Sequence, residues 1–327
     1  MKVRILIILL LMLATFSFQR SIPPIYHHSE PLAFLPTGPT VEMVTAPWGP
    51  IAPELIWLVA IQYYGEEKIS GGKFEFLVDV FDVLLRIDPL FDHAYQFGSI
   101  VIADEGKNPE QAIGILKRGL VKNPSSWIPP FYTGFIYYIH KYDFVKAGKY
   151  FDWATRYHNV PKYVYRLAAF AYKKGKLHDA AILTWKKIYE YTENQVLKEA
   201  ALRNIKYLLI EKHLDYLNDR LNKFEQSHGR KPISLSELIP GYIDSIPPEP
   251  FGGSYQYDPR GDSFVSTTYL QLQEVIAYLN KALRKFRVRY GGYPERLDEL
   301  VAKGIIESIP PHPLGRFYCY QQGKVQW

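Results

Sequence analysis

Apolar and small residues recur at helical spacing between residues 53 and 194. Three stretches share one pattern, in which two steps of four and three positions are followed by a proline. The three sets are Leu77, Phe81 and Leu84; Ala112, Leu116 and Gly119; and Ala147, Phe151 and Ala154. The spacing places each set on one face of a helix, and the proline ends that helix. The pattern predicts an array of paired helices.

A second register runs through the first helix of each predicted pair. One small residue stands where the paired helix is expected to cross, namely Ala60, Gly98, Gly134 and Ala168. Seven aromatic residues lie three positions before or four positions after these small residues: Trp57, Tyr64, Tyr95, Phe131, Tyr138, Tyr165 and Tyr172. Because the offsets are constant, the rings are expected to form two columns along the array.

This segment resembles tetratricopeptide repeats (TPR), with four repeats that start near Pro53, Pro89, Ser126 and Pro161. In similar repeats the two columns face the concave groove. The resemblance therefore implies an aromatic-lined groove that binds a protein or an extended peptide, especially a proline-rich one, or a sugar chain. The alternative is that these Tyr-rich helices pack on one another and form core.

The C-terminal part of the chain contains a duplication. Phe224, Gly229, Pro232, Leu235 and Leu238 recur 62 positions later, and Pro247, Pro250, Gly252, Tyr255 and Tyr257 recur 63 positions later. Prolines and glycines fix backbone geometry, so their recurrence predicts two modules of the same fold. Each is expected to contain a helix that ends at Gly229 or Gly291, a short helix, a proline loop and a Tyr-x-Tyr hairpin strand. Ser234 and Glu237 are predicted to form a capping box.

The order of these features resembles the C-terminal part of the major pseudopilin of type II secretion. The family commonly has Asp before the loop proline, where this chain has Glu249 and His312. The chain has no prepilin-processing site, and no acidic cluster follows either strand. Filament assembly through these helices and the family's calcium ligands are therefore not carried over.

The N-terminus has the pattern of an export signal. Lys2 and Arg4 precede an apolar run from Ile5 to Phe18, which indicates a secretory signal peptide or a membrane anchor. Both interpretations place the remainder of the chain outside the cytoplasm, in the periplasm or anchored to the inner membrane and facing the periplasm. The alternative is a buried helix of a cytosolic protein. Residues 21–52 are rich in proline and predict an extended tether.

The composition limits the kinds of binding site that the chain can form. Among 327 residues there is one cysteine, Cys319, so an intrachain disulfide or a multi-cysteine metal site is excluded. The net charge of +6 is spread along the chain and is weak support for nucleic-acid binding. The densest charge is a run of five cations, which is either a solvated helix face or a contact for an anionic surface such as phospholipid headgroups. The five are Lys281, Arg284, Lys285, Arg287 and Arg289.

The sequence therefore predicts a mainly α protein. We expect a signal peptide or anchor at 1–20, a tether at 21–52, a TPR-like α-solenoid at 53–194, and α+β modules at 195–268 and 269–327. No catalytic motif, cofactor site or metal site is found. The expected function is a non-catalytic scaffold in the envelope, in a secretion or pilus-like system. The alternatives are an envelope enzyme or carbohydrate-binding protein, and a structural link between the membrane and a filament. The partner and the oligomeric state stay open.

Overall fold

The computed structural model describes residues 40–72, 74, 76–259 and 261–326. The chain divides into two compact units, Met1–Ile136 and Tyr137–Trp327. The predicted signal peptide or anchor and residues 21–39 of the predicted tether lie outside the described residues. Residues 40–48 of that tether are helical rather than extended, with helix α1 at Thr40–Thr45 and a 3₁₀ turn at Ala46–Trp48.

The first unit consists of short helices joined by tight turns. Helix α2 spans Ile51–Ser70 and α3 spans Leu77–Ile87, and these two pack on each other. A π-helical segment, Ala94–Gly98, continues directly into α4 at Ser99–Asp104, which packs on α5 at Pro109–Lys122. Helix α6, Ile128–Ile139, crosses the boundary of the two units. The predicted helical pairs are confirmed here.

Burial follows the predicted faces. The two sets Leu77, Phe81, Leu84 and Ala112, Leu116, Gly119 are buried throughout. The predicted small residue Gly98 lies against a ring, because a Cβ there would be 2.8 Å from Cδ1 of Phe81. That distance is shorter than side-chain packing allows, so only glycine permits this approach of the π-helical segment to α3.

The second unit begins with consecutive antiparallel helices. Helices α7 (Phe144–Ala154), α8 (Tyr163–Lys174), α9 (His178–Tyr191) and α10 (Gln195–His228) each pack on the next. Helix α10 is a single element of 34 residues. It begins at Asn194, whose side chain accepts the N–H of Leu197, and ends at Gly229 with φ of 66°. The left-handed stop predicted for this glycine is confirmed.

Two helix–loop–hairpin modules complete the second unit. In the first, a 3₁₀ turn at Leu235–Leu238 precedes strands β1 (Tyr255–Asp258) and β2 (Ser263–Ser266). In the second, helix α11 (Thr267–Tyr290) and short helix α12 (Asp298–Ala302) precede β3 (Cys319–Gln321) and β4 (Lys324–Gln326). Both hairpins are antiparallel, with Tyr255 opposite Ser266 and Tyr320 opposite Val325. The predicted fold class, mainly α with two small α+β modules, is confirmed.

The two modules have matching cores. Residues 62 positions apart are buried in equivalent places: Leu217 and Leu279, Leu221 and Leu283, Phe224 and Phe286, Leu238 and Leu300. The rings of the Tyr-x-Tyr segments pack against these cores in both copies. The duplication in the sequence is therefore a duplication of packing.

The predicted capping box is wrong in its hydrogen bonds. Ser234 makes no side-chain capping bond, and the carboxylate of Glu237 accepts the N–H of Ile233 at 2.9 Å. In the second module Glu299 accepts the N–H of Glu295 at 2.8 Å. In both modules the carboxylate therefore binds a main-chain N–H of the loop that precedes the short helical element.

The modules also share a core with the last helical hairpin. Trp185 of α9 and Leu208 of α10 are buried in one cluster with Leu272 of α11 and Leu314 of the second proline loop. The hydroxyl of Tyr269 donates a hydrogen bond to Glu211 at 2.6 Å across the α10–α11 interface. The two modules therefore pack on the array and on each other within the second unit.

Candidate partner-binding surface

The predicted aromatic columns are partly accessible in the first unit. Trp57 and Tyr64 are half-buried and meet through Phe97, whose ring centroid lies 5.7 Å from that of Trp57 and 5.1 Å from that of Tyr64. Phe91 extends this cluster, 5.6 Å from Trp57. The fold thus brings two of the predicted residues into one continuous aromatic surface.

Two other predicted residues of this unit belong to the core. Tyr95 is 1% exposed and Phe131 is 6% exposed. A Cβ on Gly119 would lie 2.6 Å from Cε1 of Tyr95, so the ring lies directly over that glycine. Burial raises the pKa of Tyr95 to about 12.

The predicted residues of the second unit divide in the same way. Tyr138 is half-buried, and the ammonium of Lys174 lies 5.0 Å from its ring centroid. Tyr165 is half-buried and donates a hydrogen bond from its hydroxyl to the carbonyl of Thr155 at 2.9 Å. Tyr172 is buried, and burial raises its pKa to about 12. The groove stays a prediction, and its accessible members are Trp57, Tyr64, Tyr138 and Tyr165.

A cleft between α3 and α5 forms a concave site in the first unit. It encloses about 550 Å³. We call it the basic cleft, and its lining consists of Asp82, Leu85, Arg86, Pro89, Tyr95, Ile115, Lys117, Arg118, Val121 and Lys122. Apolar side chains form much of its wall, and Val121 at the mouth is 75% exposed. Such a combination of apolar wall and charged rim suits a segment with one apolar anchor.

The charges of the basic cleft are unbalanced. Four cations line it against one carboxylate, that of Asp82. Asp82 pairs with both Arg86, at 3.3 Å, and Arg118. Within the described part of the chain, Lys117 and Lys122 have no ion-pair partner. An anionic group entering the cleft would therefore meet two unneutralised ammonium groups.

The sequence did not reveal this cleft. Its cations come from positions 86, 117, 118 and 122, on two helices that are separated in sequence. No dense charge run marks them, and only the packing of α3 near α5 places them around one cavity. The signal that could have found them is the exposed cations toward the C-terminal ends of both helices, Arg86 on α3 and Lys117, Arg118 and Lys122 on α5.

A smaller pocket in the second unit includes one predicted residue. Tyr165 lines it together with the exposed ring of Tyr191 and the apolar side chains of Ile188 and Leu197. The pocket encloses about 180 Å³, and His158, Lys162 and Lys187 line it as well. It is large enough for one side chain of a partner and lies beside the accessible column.

The predicted basic run lies on α11 and is exposed at all five positions. The guanidinium of Arg287 lies 5.1 Å from the ring centroid of Tyr293, and that of Arg289 lies 5.7 Å from that of Tyr290. For Lys281, Arg284 and Lys285 the structure gives no partner within the described part of the chain.

The described residues contain neither a metal-binding cluster nor a helix suited to span a membrane. Among residues 40–72, 74, 76–259 and 261–326, no group of three or more His, Cys, Asp or Glu side chains could hold a metal ion. Over those same ranges no helix combines the length and the apolar character needed to cross a bilayer. Cys319 is exposed and forms no disulfide.

Comparisons with known proteins found similarity among solved structures. No protein-family model matches the chain, and no curated protein matches it. Among solved structures, a chain of the complex described as Naa15/Naa10 bound to HypK-THB is similar over 55% of this chain. The sequence identity is 15% and the TM-score is 0.37, and the match covers 26% of that chain.

Proposed function

We propose that this protein is a non-catalytic adaptor that binds an acidic segment of a partner protein in the basic cleft. The charge imbalance of the cleft carries this proposal. Lys117 and Lys122 are cations without an ion-pair partner in the described part of the chain, beside an apolar wall. A carboxylate-bearing segment would supply the missing anions, which favours both the rate of encounter and the orientation of binding.

The dimensions of the cleft support a peptide segment as its ligand. A volume of about 550 Å³ accommodates a few side chains. Leu85, Ile115 and Val121 offer an apolar contact for one anchoring side chain, while the cations at the rim lie where flanking carboxylates would reach. The half-buried rings of Trp57 and Tyr64 supply a second surface of the same unit for an extended chain.

Features of the sequence support an envelope setting for this adaptor. We place it in the envelope, exported or anchored through its N-terminal apolar segment, because Lys2 and Arg4 precede that segment. The two C-terminal modules support a role in a secretion or pilus-like system, since their shared order of helix, proline loop and hairpin resembles the major pseudopilin. Co-purification from solubilised envelopes identifies the partner.

The cleft is tested by reversing its unpaired charges. Lys117→Glu combined with Lys122→Glu is expected to weaken binding of an acidic peptide that carries one Leu by about a hundredfold, since each reversed cation removes an attraction and adds a repulsion. Fluorescence anisotropy of the labelled peptide gives the dissociation constant. Raising the salt concentration should weaken the wild-type interaction more than that of the variant.

The matched control is Lys107→Glu, an exposed lysine of the same unit that does not line the cleft. It should leave the affinity within about twofold, because a screened surface charge at a distance acts weakly. The proposal fails if the control weakens binding as much as the double variant does. It also fails if the wild-type protein binds a peptide with Lys in place of each acidic residue equally well.

A further inference from the structure

The two duplicated modules differ on the outward face of their long helices. On α11, Lys281 and Val288 are seven positions apart and therefore lie on the same side, with Arg284 and Lys285 between them. This side is opposite the buried Leu279, Leu283 and Phe286. We call the four residues Lys281, Arg284, Lys285 and Val288 the α11 face. All four are exposed, and Val288 is 88% exposed.

The equivalent positions of the first module, 62 residues earlier, carry a different chemistry. They are Asp219, Asn222, Lys223 and Gln226 on α10. There the ammonium of Lys223 lies 2.8 Å from the carboxylate of Asp219, and Arg220 lies 3.8 Å from the same carboxylate. The charged side chains on this face of the first module therefore neutralise one another. The second module has replaced these self-paired charges by three cations and an apolar side chain.

No anion of the described chain neutralises the α11 face. Lys281, Arg284 and Lys285 form no ion pair in the part of the molecule that the structure describes. The carboxylate nearest to them along this side of the helix is Glu274, two turns before Lys281. The three neighbouring cations repel one another, so an external anion that binds there would lower this electrostatic repulsion.

Exposed apolar and aromatic side chains accompany these cations. Besides Val288, Tyr278 is 46% exposed one turn before Lys281. Cations combined with apolar and amphipathic aromatic side chains on one helix are typical of proteins that lie on a membrane surface. Nucleic acid would engage the cations alone and would leave Val288 in water, whereas an anionic bilayer offers both phosphates and apolar chains.

We propose that the α11 face docks on a bilayer surface that contains anionic lipid headgroups. Lys281, Arg284 and Lys285 contact the phosphates, and Val288 inserts between the headgroups. This contact is separate from the basic cleft, which belongs to the first unit, and from the N-terminal segment. It would hold the second module against the membrane whether or not a partner occupies the cleft.

Co-sedimentation of the full chain with vesicles tests this docking. One set of vesicles contains phosphatidylcholine alone, and the other contains phosphatidylcholine with phosphatidylglycerol. The wild-type protein should partition more strongly onto the second set, and the neutral set measures any contribution of the N-terminal apolar segment. Lys281→Glu, Arg284→Glu and Lys285→Glu together should reduce the anionic excess by about a hundredfold. Val288→Ser should reduce binding by roughly tenfold while preserving its salt dependence.

The duplication supplies the control. Lys223→Glu changes the residue at the position equivalent to Lys285, and its partitioning should match that of the wild-type protein. Circular dichroism should show unchanged folding for every variant, because each substituted side chain is exposed. Equal partitioning of the wild-type protein onto neutral and anionic vesicles overturns the proposal. Binding of an acidic peptide or of DNA at the α11 face, without vesicle binding, overturns it in favour of that other partner.

Discussion

Asn218 and Asn280 lie 62 positions apart and make the same two hydrogen bonds in their respective modules. Asn218 accepts the N–H of Phe264 at 2.7 Å and donates to the carbonyl of the same residue at 3.4 Å. Asn280 accepts the N–H of Val325 at 2.9 Å and donates to its carbonyl at 3.1 Å. Each long helix is thus hydrogen-bonded to the return strand of its own hairpin, through both the N–H and the carbonyl of one strand residue.

Replacing this asparagine should loosen the hairpin. Asn218→Ala and Asn280→Ala each leave an N–H and a carbonyl of the return strand without their side-chain partner, so we expect a loss of about 1–3 kcal/mol in the free energy of unfolding. Urea denaturation measures the loss. Hydrogen exchange should show faster exchange at the N–H of Phe264 in the first variant and at that of Val325 in the second.

Asn222→Ala serves as the control, because Asn222 is exposed on the same helix. Its stability should stay within about 0.5 kcal/mol of the wild-type value. If Asn222→Ala and Asn218→Ala proved equally destabilising, helix propensity rather than the strand contact would explain the effect.

Two glycines of helix α5 should respond in opposite directions to the same substitution. Gly119→Ala places a methyl group 2.6 Å from the buried ring of Tyr95, so the helix or the ring must shift, at a cost of about 1–3 kcal/mol. Apart from the backbone of its own helix, nothing lies within 4 Å of an ideal Cβ at Gly114, and Gly114→Ala should stabilise the helix by up to about 1 kcal/mol. Thermal unfolding distinguishes these outcomes, and a stabilising Gly119→Ala would contradict the packing described for Tyr95.

Glu249 holds the first proline loop through three acceptor contacts. Its carboxylate accepts the N–H of Phe251 at 2.7 Å, the N–H of Gly253 at 2.9 Å and the hydroxyl of Ser266 at 2.8 Å. Glu249→Leu keeps the side chain buried and leaves all three donors unpaired, so unfolding should become easier by about 3 kcal/mol. Glu249→Gln retains one acceptor oxygen and should lose less, as measured by urea denaturation. Equal losses for the two variants would show that the hydrogen bonds contribute little.

The second module should become less stable against unfolding as the pH falls. His312 accepts the N–H of Leu314 through Nδ1 at 3.1 Å, which requires an unprotonated ring. Burial lowers the pKa of His312 from its ordinary value of 6.5, and the nearby Arg316 lowers it further. The folded state therefore binds fewer protons than the unfolded state. The contribution of His312 to the free energy of unfolding is fully present above pH 6.5, and it is lost as the pH falls from there through the folded-state pKa.

His312→Asn tests this pH dependence, because Asn offers a non-titrating acceptor at the same place. Urea denaturation between about pH 8 and about pH 5 should show a shallower decline for this variant than for the wild-type protein. His213, whose pKa is also lowered by burial, will leave part of the decline in place. The exposed His158→Asn is the control, and an equally shallow curve for that variant would contradict the assignment.

Those parts of the fold that depend on local backbone geometry could be predicted from the sequence. Gly229 and Gly291 end their helices with φ of 66° and 81°, as the recurring glycines indicated. The buried faces of the helical pairs followed from spacing alone. The π-helical segment Ala94–Gly98 could not be predicted in this way, because its irregularity arises where the Phe81 ring packs on Gly98.

The burial of the individual aromatic side chains could not be predicted from the sequence either. Trp57 and Tyr95 occupy the same register position, yet one is half-buried and the other is 1% exposed. The difference comes from Gly119 on another helix, which opens a slot for the ring of Tyr95 alone. Spacing reports the face of a helix on which a residue lies, whereas burial depends on the neighbour that covers that face.

Helix α10 has a mechanical consequence for the second unit. Its N-terminal half, through Ala201 and Leu208, covers the last helical hairpin, and its C-terminal half, through Leu217 and Phe224, forms the floor of the first module. A single rod of 34 residues, about 51 Å long, thus serves both. Any tilt that a bound molecule imposes on the last hairpin will turn the module by the same angle, since no joint separates them. Removing everything after residue 194 would also strip α9 of its cover, so truncations intended to spare the repeats must end beyond Leu208.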